Sequence, residues 1–114
     1  DGERAIGHPW AVSVLAHSAI STASWFATKG RPLHGQFERY HHSRGEESGA
    51  VLLDDSLATM ELRTTNTIPS GDHTIVVGEV LSLAVSEELV DQTPAHDHGW
   101  PLAYWARRYR SFEH

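Results

Sequence analysis

The chain has 114 residues, 39% of them hydrophobic, enough for one domain around one core and too few for two. Lys and Arg number 9 against 15 Asp and Glu, a formal charge of −6, which argues against a dedicated nucleic-acid binder whose affinity would rest on a basic surface. With no cysteine, a disulfide framework, a cysteine-ligated zinc site and a thiol nucleophile are excluded.

No apolar run approaches the ~20 residues of a membrane span, and Asp1-Gly2-Glu3-Arg4 lacks the basic and apolar regions of a signal peptide. A soluble, cytoplasmic protein with no membrane partner is expected. The 9 histidines make the charge sensitive to mildly acidic pH, because imidazole titrates near pH ~6.5.

Trp10 to Leu15 is rich in β-formers, with Trp10, Val12 and Val14 on one face and Ala11, Ser13 and Leu15 on the other. Both faces are largely apolar, as in an interior strand. A short helix follows, with Ser18 as its cap and Ala19, Ile20, Ala23, Phe26 and Ala27 as an inward stripe. Lys29 suits its last turn, Gly30 its left-handed C′ position, and Pro32 prevents restart. Arg31 to Gly49 reads as a long surface loop, broken only by Phe37 and Tyr40, and Val51-Leu52-Leu53 re-enters the core.

Leu57 to Ile68 predicts a second strand, with Ala58, Met60 and Leu62 opposed to Thr59, Glu61, Arg63 and Thr65. Pro69-Ser70-Gly71-Asp72 is a turn, and Thr74 to Val85 the strongest strand. The pair forms an antiparallel hairpin in which Gly78 marks a bulge or bend. Glu79, charged within an apolar strand, needs a partner if buried, and Arg63 is the candidate. After a looser stretch from Ser86, the chain closes on Pro101 to Phe112, an aromatic and basic tail. With no internal repeat and no linker, residues 1–114 read as a single mainly β domain: an antiparallel Greek-key split barrel with a short peripheral helix.

The sequence carries no Gly-x-Ser-x-Gly elbow, phosphate loop or Gly-x-Gly-x-x-Gly. His41-His42 and His96-Asp97-His98 invite a metal reading, but a site needs three or four ligands with supporting acceptors, and no metal site is assigned. Asp72-His73 stands at the hairpin mouth, either a turn closed by an Asx hydrogen bond with an exposed histidine, or a functional imidazole. Tyr104, Trp105 and Tyr109 beside Arg107, Arg108 and Arg110 suit stacking on a planar ring and contact with a phosphate. They equally suit closure of the barrel or a dimer contact.

Taken together, the segments resemble the flavin reductase-like family, the FMN-binding split barrels. His8 to Ala16 resembles the family strand Phe-x-Val-Asn-Val-Leu, and Trp25-Phe26-Ala27 with Gln36-Phe37 resembles its helix and following loop. Val51-Leu52-Leu53 and Leu57 to Leu62 resemble Pro-Leu-Leu…Ala-x-x-x-Glu-Cys. Gly71 to Val80 matches the Gly-Asp-His hairpin almost residue for residue, and Pro101-Leu102-x-Tyr104…Arg108-Tyr109 matches the closing motif. Ser13 replaces the family's asparagine, Leu62 its cysteine, and Ala106-Arg107 stands where Arg-Gly is common. The opening strands and the Ser/Thr-rich loop that hold the flavin phosphate are not represented, so the chain reads as a fragment or a shortened relative.

The resemblance implies NAD(P)H:flavin oxidoreduction with FMN or FAD as cofactor and NADH or NADPH as co-substrate, the reduced flavin passing to a partner flavin-dependent monooxygenase. The cofactor carries the redox chemistry, which suits a chain without cysteine. On this reading His73 is the catalytic residue beside the stacked rings and Asp72 fixes the turn. Phe37 covers part of the ring system, and Tyr104, Arg108 and Tyr109 line the cleft or meet phosphate. A homodimer is implied, with the 75–85 strand contributing to its interface. Two alternatives share these motifs: a flavin- or ligand-binding split barrel without reductase activity, and a cofactor-free structural or interaction domain.

Overall fold

The computed structural model describes residues 5–31, 35–86 and 101–111. Seven strands and one α-helix follow in the order β1 (Pro9–Leu15), α1 (Ile20–Ala27), β2 (His42–Arg44), β3 (Val51–Leu53), β4 (Ser56–Ser70), β5 (His73–Val85), β6 (Leu102–Trp105) and β7 (Arg108–Ser111). The predicted strands are present, and the hairpin is longer at both ends than its apolar pattern indicates. Backbone pairing continues past the last hydrophobic side chain, through Pro69 opposite Thr74 and Ser70 opposite His73.

The main sheet is antiparallel with the order β1-β4-β5. The central strand is β4. The expectation for β1 is therefore corrected: among the described residues it pairs with β4 alone, and its other side meets β3 through Leu53 N–H donating to Ser13 Oγ at 3.2 Å. Beyond Thr64 the β4–β5 pair runs on without β1 as a two-stranded ribbon.

The β4–β5 ladder has two bulges: Leu81 of β5 is the extra residue opposite Glu61 and Leu62, and Thr65 of β4 is the extra residue between Thr64 and Asn66. A bulge inserts one residue and reverses the inward phase. Leu57, Glu61, Leu62 and Thr64 are buried, so the inward phase of β4 changes where β5 bulges opposite Glu61 and Leu62, while Met60 is only half-buried. The irregularity opposite Gly78 belongs to β4, since Thr64 pairs with Gly78 and Asn66 with Val77. Gly78 serves a different need: a Cβ there would lie 2.9 Å from Trp10 Cζ2 and 3.2 Å from Leu62 Cβ. Trp10 packs across it and donates its indole N–H to Thr64 Oγ1 at 3.0 Å.

Glu79 is exposed and stands directly opposite Arg63, so the buried carboxylate of the sheet is Glu61 instead. The loop predicted for Arg31 to Gly49 also needs correction, because His42–Arg44 forms β2 and pairs antiparallel with β3.

The helix is shorter than its pattern suggests. Ser18 lies inside a 3₁₀ turn (His17–Ala19), and Ala16 and Ala19 occupy the N-cap positions. Ile20 and Ala27 point outward, and Thr22 takes the inward place, its hydroxyl donating to Asp55 Oδ2 at 3.4 Å. Lys29 falls past the last helical residue, and Gly30 adopts φ 79° where the chain turns away.

β6 and β7 form a separate closing hairpin, tied to the body by an isolated bridge from Pro101 to Ala16. Its turn residues Ala106 and Arg107 both have positive φ, 53° and 66°. No helix among the described residues is long and apolar enough to cross a membrane.

Candidate functional site

Three separate groups of side chains emerge. The first is a cleft of about 570 Å³ between β1 and the 36–53 segment, within the size range of ligand sites. Pro9, Ala11, Ser13 and Leu15, one face of β1 by the period of two, form one wall. Phe26 of α1, Phe37, Arg44 of β2 and Val51 of β3 contribute the rest.

The aromatic side of this cleft is a network. Phe26 and Phe37 lie 5.4 Å apart, and Phe26 also meets Tyr40 at 6.0 Å. Phe37 meets the His42 ring at 5.9 Å, and the His42 Nδ1 sits 2.8 Å from the Tyr40 carbonyl. Each arginine of this region rests on a ring: Arg31 over Phe26 at 5.5 Å, Arg39 over Trp25 at 4.3 Å and Arg44 over Phe37 at 6.0 Å. The indole N–H of Trp25 donates to the Gln36 carbonyl at 2.9 Å, which fixes the approach of Phe37. Aromatic rings with guanidinium groups packed against them suit a planar ligand that carries or develops negative charge.

The second group is the tip of the β4–β5 ribbon. Gly71, with φ 61°, occupies the first central position of a two-residue turn, where a left-handed residue matches the twist of the strands. The turn puts His73 Nε2 3.4 Å from Asp72 Oδ1, with both side chains almost wholly exposed, at 85% and 93%. Seven residues separate Ser70, opposite His73, from Arg63, opposite Pro9. At a strand rise of ~3.3 Å per residue, that is roughly 23 Å along the ribbon. His73 and Phe37 therefore occupy different regions of one chain.

The third group is the closing hairpin. Tyr104 and Tyr109 are cross-strand partners with ring centroids 5.2 Å apart. Arg108, exposed, pairs with Trp105, which is 76% exposed. Among the predicted site residues the structure thus joins Asp72 to His73 and Tyr104 to Tyr109, and it sets Phe37 apart in the cleft.

Sequence reading missed Arg44 and Phe26 as cleft residues. Phe26 reads as helix stripe and as part of the segment resembling the family's Phe-Ala…Phe loop, without a site role of its own, and Arg44 sits in a charged stretch whose strand has three residues. Of the metal candidates, His41-His42 contributes to no group of three potential ligands among the described residues, and His96-Asp97-His98 lies outside them.

Comparison with known proteins decides the relationship. The family described as flavin reductase like domain matches residues 6–113. The chain belongs to that family. Among flavin reductase relatives, an NADH-dependent FAD reductase of Streptomyces globisporus is 39% identical over 74 residues, 64% of this chain and 41% of the relative. An NADH flavin reductase of Kitasatospora aureofaciens is 32% identical over 101 residues, 88% of this chain and 47% of its own length. The solved structure of the NADH:FAD oxidoreductase SgcE6 of Streptomyces globisporus superposes with a TM-score of 0.72 and 32% identity, covering 90% of this chain and 55% of that one. The same oxidoreductase in complex with NAD and FAD fragments matches equally well, at 0.72 and 31% identity. BorF, the flavin reductase component of a bacterial two-component tryptophan halogenase, gives 0.74 at 30% identity, over 91% of this chain and 59% of BorF.

These likenesses establish the split-barrel fold expected from the sequence. The chain spans about half the length of the flavin reductases it matches.

Proposed function

We propose that the protein is an NAD(P)H-dependent flavin reductase that delivers reduced flavin to a partner monooxygenase or halogenase. The observation that carries this is the likeness, over 90% of the chain, to an oxidoreductase solved with NAD and FAD fragments. When bound, the cofactors would supply the redox chemistry, a hydride moving from nicotinamide to flavin N5.

The chain's own residues have three tasks. Phe37, backed by Phe26, offers a face for a ring, and Arg44 offers a cation to the charge a flavin gains on reduction. His73, held near Asp72 on a ribbon that projects beyond β1, orients the nicotinamide or flavin at the subunit edge. Tyr104, Tyr109 and Arg108 provide stacking and a phosphate contact. Because His73 and Phe37 lie apart within one chain, a second copy is the economical way to complete the site. The exposed apolar side chains of β5, Val80 and Leu83 among them, support a homodimer. A dinucleotide co-substrate supports a cytoplasmic location.

The test is NADH and NADPH oxidation by the purified complete protein with FMN or FAD added. Flavin-dependent turnover is expected, and no turnover with either flavin overturns the reading in favour of a binding barrel. His73→Ala is expected to slow turnover about tenfold or more, in the range set by orienting groups, while flavin affinity stays within about threefold. Loss of flavin binding with unchanged turnover of the residual complex contradicts the role given to His73.

A further inference from the structure

Glu61 is the one charged side chain among the buried described residues, 4% exposed at the centre of β4. Its surroundings are built around its two oxygens. Oε1 accepts from the Ser48 hydroxyl at 2.7 Å, the Ser48 N–H at 2.8 Å and the Glu47 N–H at 3.1 Å. Oε2 accepts from the Ser82 hydroxyl of β5 at 2.6 Å.

Three of these four donors belong to the turn between β2 and β3. The turn closes on itself through Gly45 N–H to the Ala50 carbonyl at 2.9 Å and Gly49 N–H to the Gly45 carbonyl at 2.8 Å. Ser48 Oγ also accepts from Ala50 N–H at 3.1 Å. Gly45 is buried, and a Cβ there would overlap the Glu61 side chain. Only glycine lets the backbone approach the carboxylate so closely.

Arg44 is the residue immediately before this turn. Its Nη1 donates to the Gly49 carbonyl at 3.3 Å, and its guanidinium lies over Phe37 in the cleft. The turn therefore fixes both ends of the arginine, and Glu61 fixes the turn.

We propose that Glu61 is a positioning residue that holds the 45–49 turn so that Arg44 presents its guanidinium to an anionic group of the flavin in the cleft. The role rests on the flavin-reductase reading and adds to it a chain of contacts from the sheet interior to the ligand. Glu61 does not touch the ligand. Charge-assisted hydrogen bonds between a carboxylate and backbone N–H groups are among the stronger ones, so their loss releases the turn as a unit.

The experiment is a double-mutant cycle in the complete protein, read by quenching of flavin fluorescence with FMN and with riboflavin, which lacks the phosphate. Arg44→Ala and Glu61→Ala are each expected to weaken FMN binding about tenfold, the factor that corresponds to ~1.4 kcal/mol. The double variant is expected to be no weaker than Arg44→Ala alone, because a residue acting through another shows coupling rather than additivity. Glu61→Gln is expected to rescue: its carbonyl accepts from the turn and its amide donates to Ser82 Oγ. Comparing the two ligands locates the anion, with a loss confined to FMN marking the phosphate and an equal loss marking the ring. Additive effects, or unchanged affinity in a folded Glu61→Ala, overturn the positioning role. If Glu61→Ala fails to fold, Ser48→Ala replaces it in the cycle with the same criterion. Absence of flavin binding by the unaltered protein overturns the functional reading itself, and the two failures are distinct.

Discussion

At the scale of single residues, the buried carboxylate has a consequence for stability in acid. The Ser82 and Ser48 hydroxyls, and then the Ser48 and Glu47 amides, hold the Glu61 carboxyl below its ordinary value of 4.5 against the opposing effect of desolvation. The folded form therefore binds this proton less readily than the unfolded chain. Its stabilising contribution is fully present above pH 4.5 and is lost as pH falls through the lower folded value. Arg44, Glu46 and Glu47 are the other charged side chains lining the same recess. Thermal unfolding followed against pH is expected to fall more steeply for the unaltered protein than for Glu61→Gln in this acid range. Parallel curves contradict the assignment. Gly78 gives a second prediction. A methyl group 2.9 Å from the Trp10 ring and 3.2 Å from Leu62 must push the indole off Thr64. Gly78→Ala is expected to cost about 1–3 kcal/mol, the usual range for overpacking, measured by denaturant unfolding.

At the scale of elements, the closing hairpin carries local strain. Positive φ at both central residues is the geometry of a I′ turn, which suits the strand twist and favours Asn-Gly. Here Ala106 and Arg107 occupy it, each at a cost of roughly 1 kcal/mol for a non-glycine in the left-handed region. Ala106→Asn with Arg107→Gly is expected to raise stability by about 1–2 kcal/mol, with Tyr104 and Tyr109 still in contact. A loss of stability shows that the turn is held by something other than its own geometry. The same scale explains which elements were legible. β1 and the β4–β5 hairpin follow from period-two patterning and the Gly71-Asp72 turn. The inward phase of β4 does not, because the bulges in its pairing are register decisions made with β1 and β5, and alternation within one strand carries no record of them. β2 was illegible for a related reason: its three residues, His42, Ser43 and Arg44, are all exposed, and pairing with β3 alone defines them.

At the scale of the whole molecule, the mainly β architecture and the family were readable because two motifs, Gly71-Asp72-His73 and Pro101-Leu102-x-Tyr104, stand in order at fixed separation. The site was readable only in part. The family resemblance assigned roles to Phe37, His73 and Tyr104 singly, but a sequence gives no distance between the ribbon tip and the cleft. Nor does it show that Glu61, rather than Glu79, is the buried carboxylate, since burial there depends on Ser82 and the 45–49 turn arriving from elsewhere. If a second copy completes the site, the exposed apolar side chains of β5 belong to the interface. Leu83→Glu, at a position 60% exposed, is then expected to shift the complete protein toward monomer in sedimentation experiments and to lower turnover with it. An unchanged sedimentation coefficient removes β5 from the interface.

The central claim is that this fold brings a dinucleotide and a flavin together for hydride transfer. Its most direct measurement is anaerobic mixing of the complete protein with FMN or FAD and a reduced nicotinamide dinucleotide, following the yellow absorbance of oxidised flavin. The account predicts bleaching far faster than in the protein-free mixture. Bleaching no faster than that mixture, with either flavin and either dinucleotide, contradicts it.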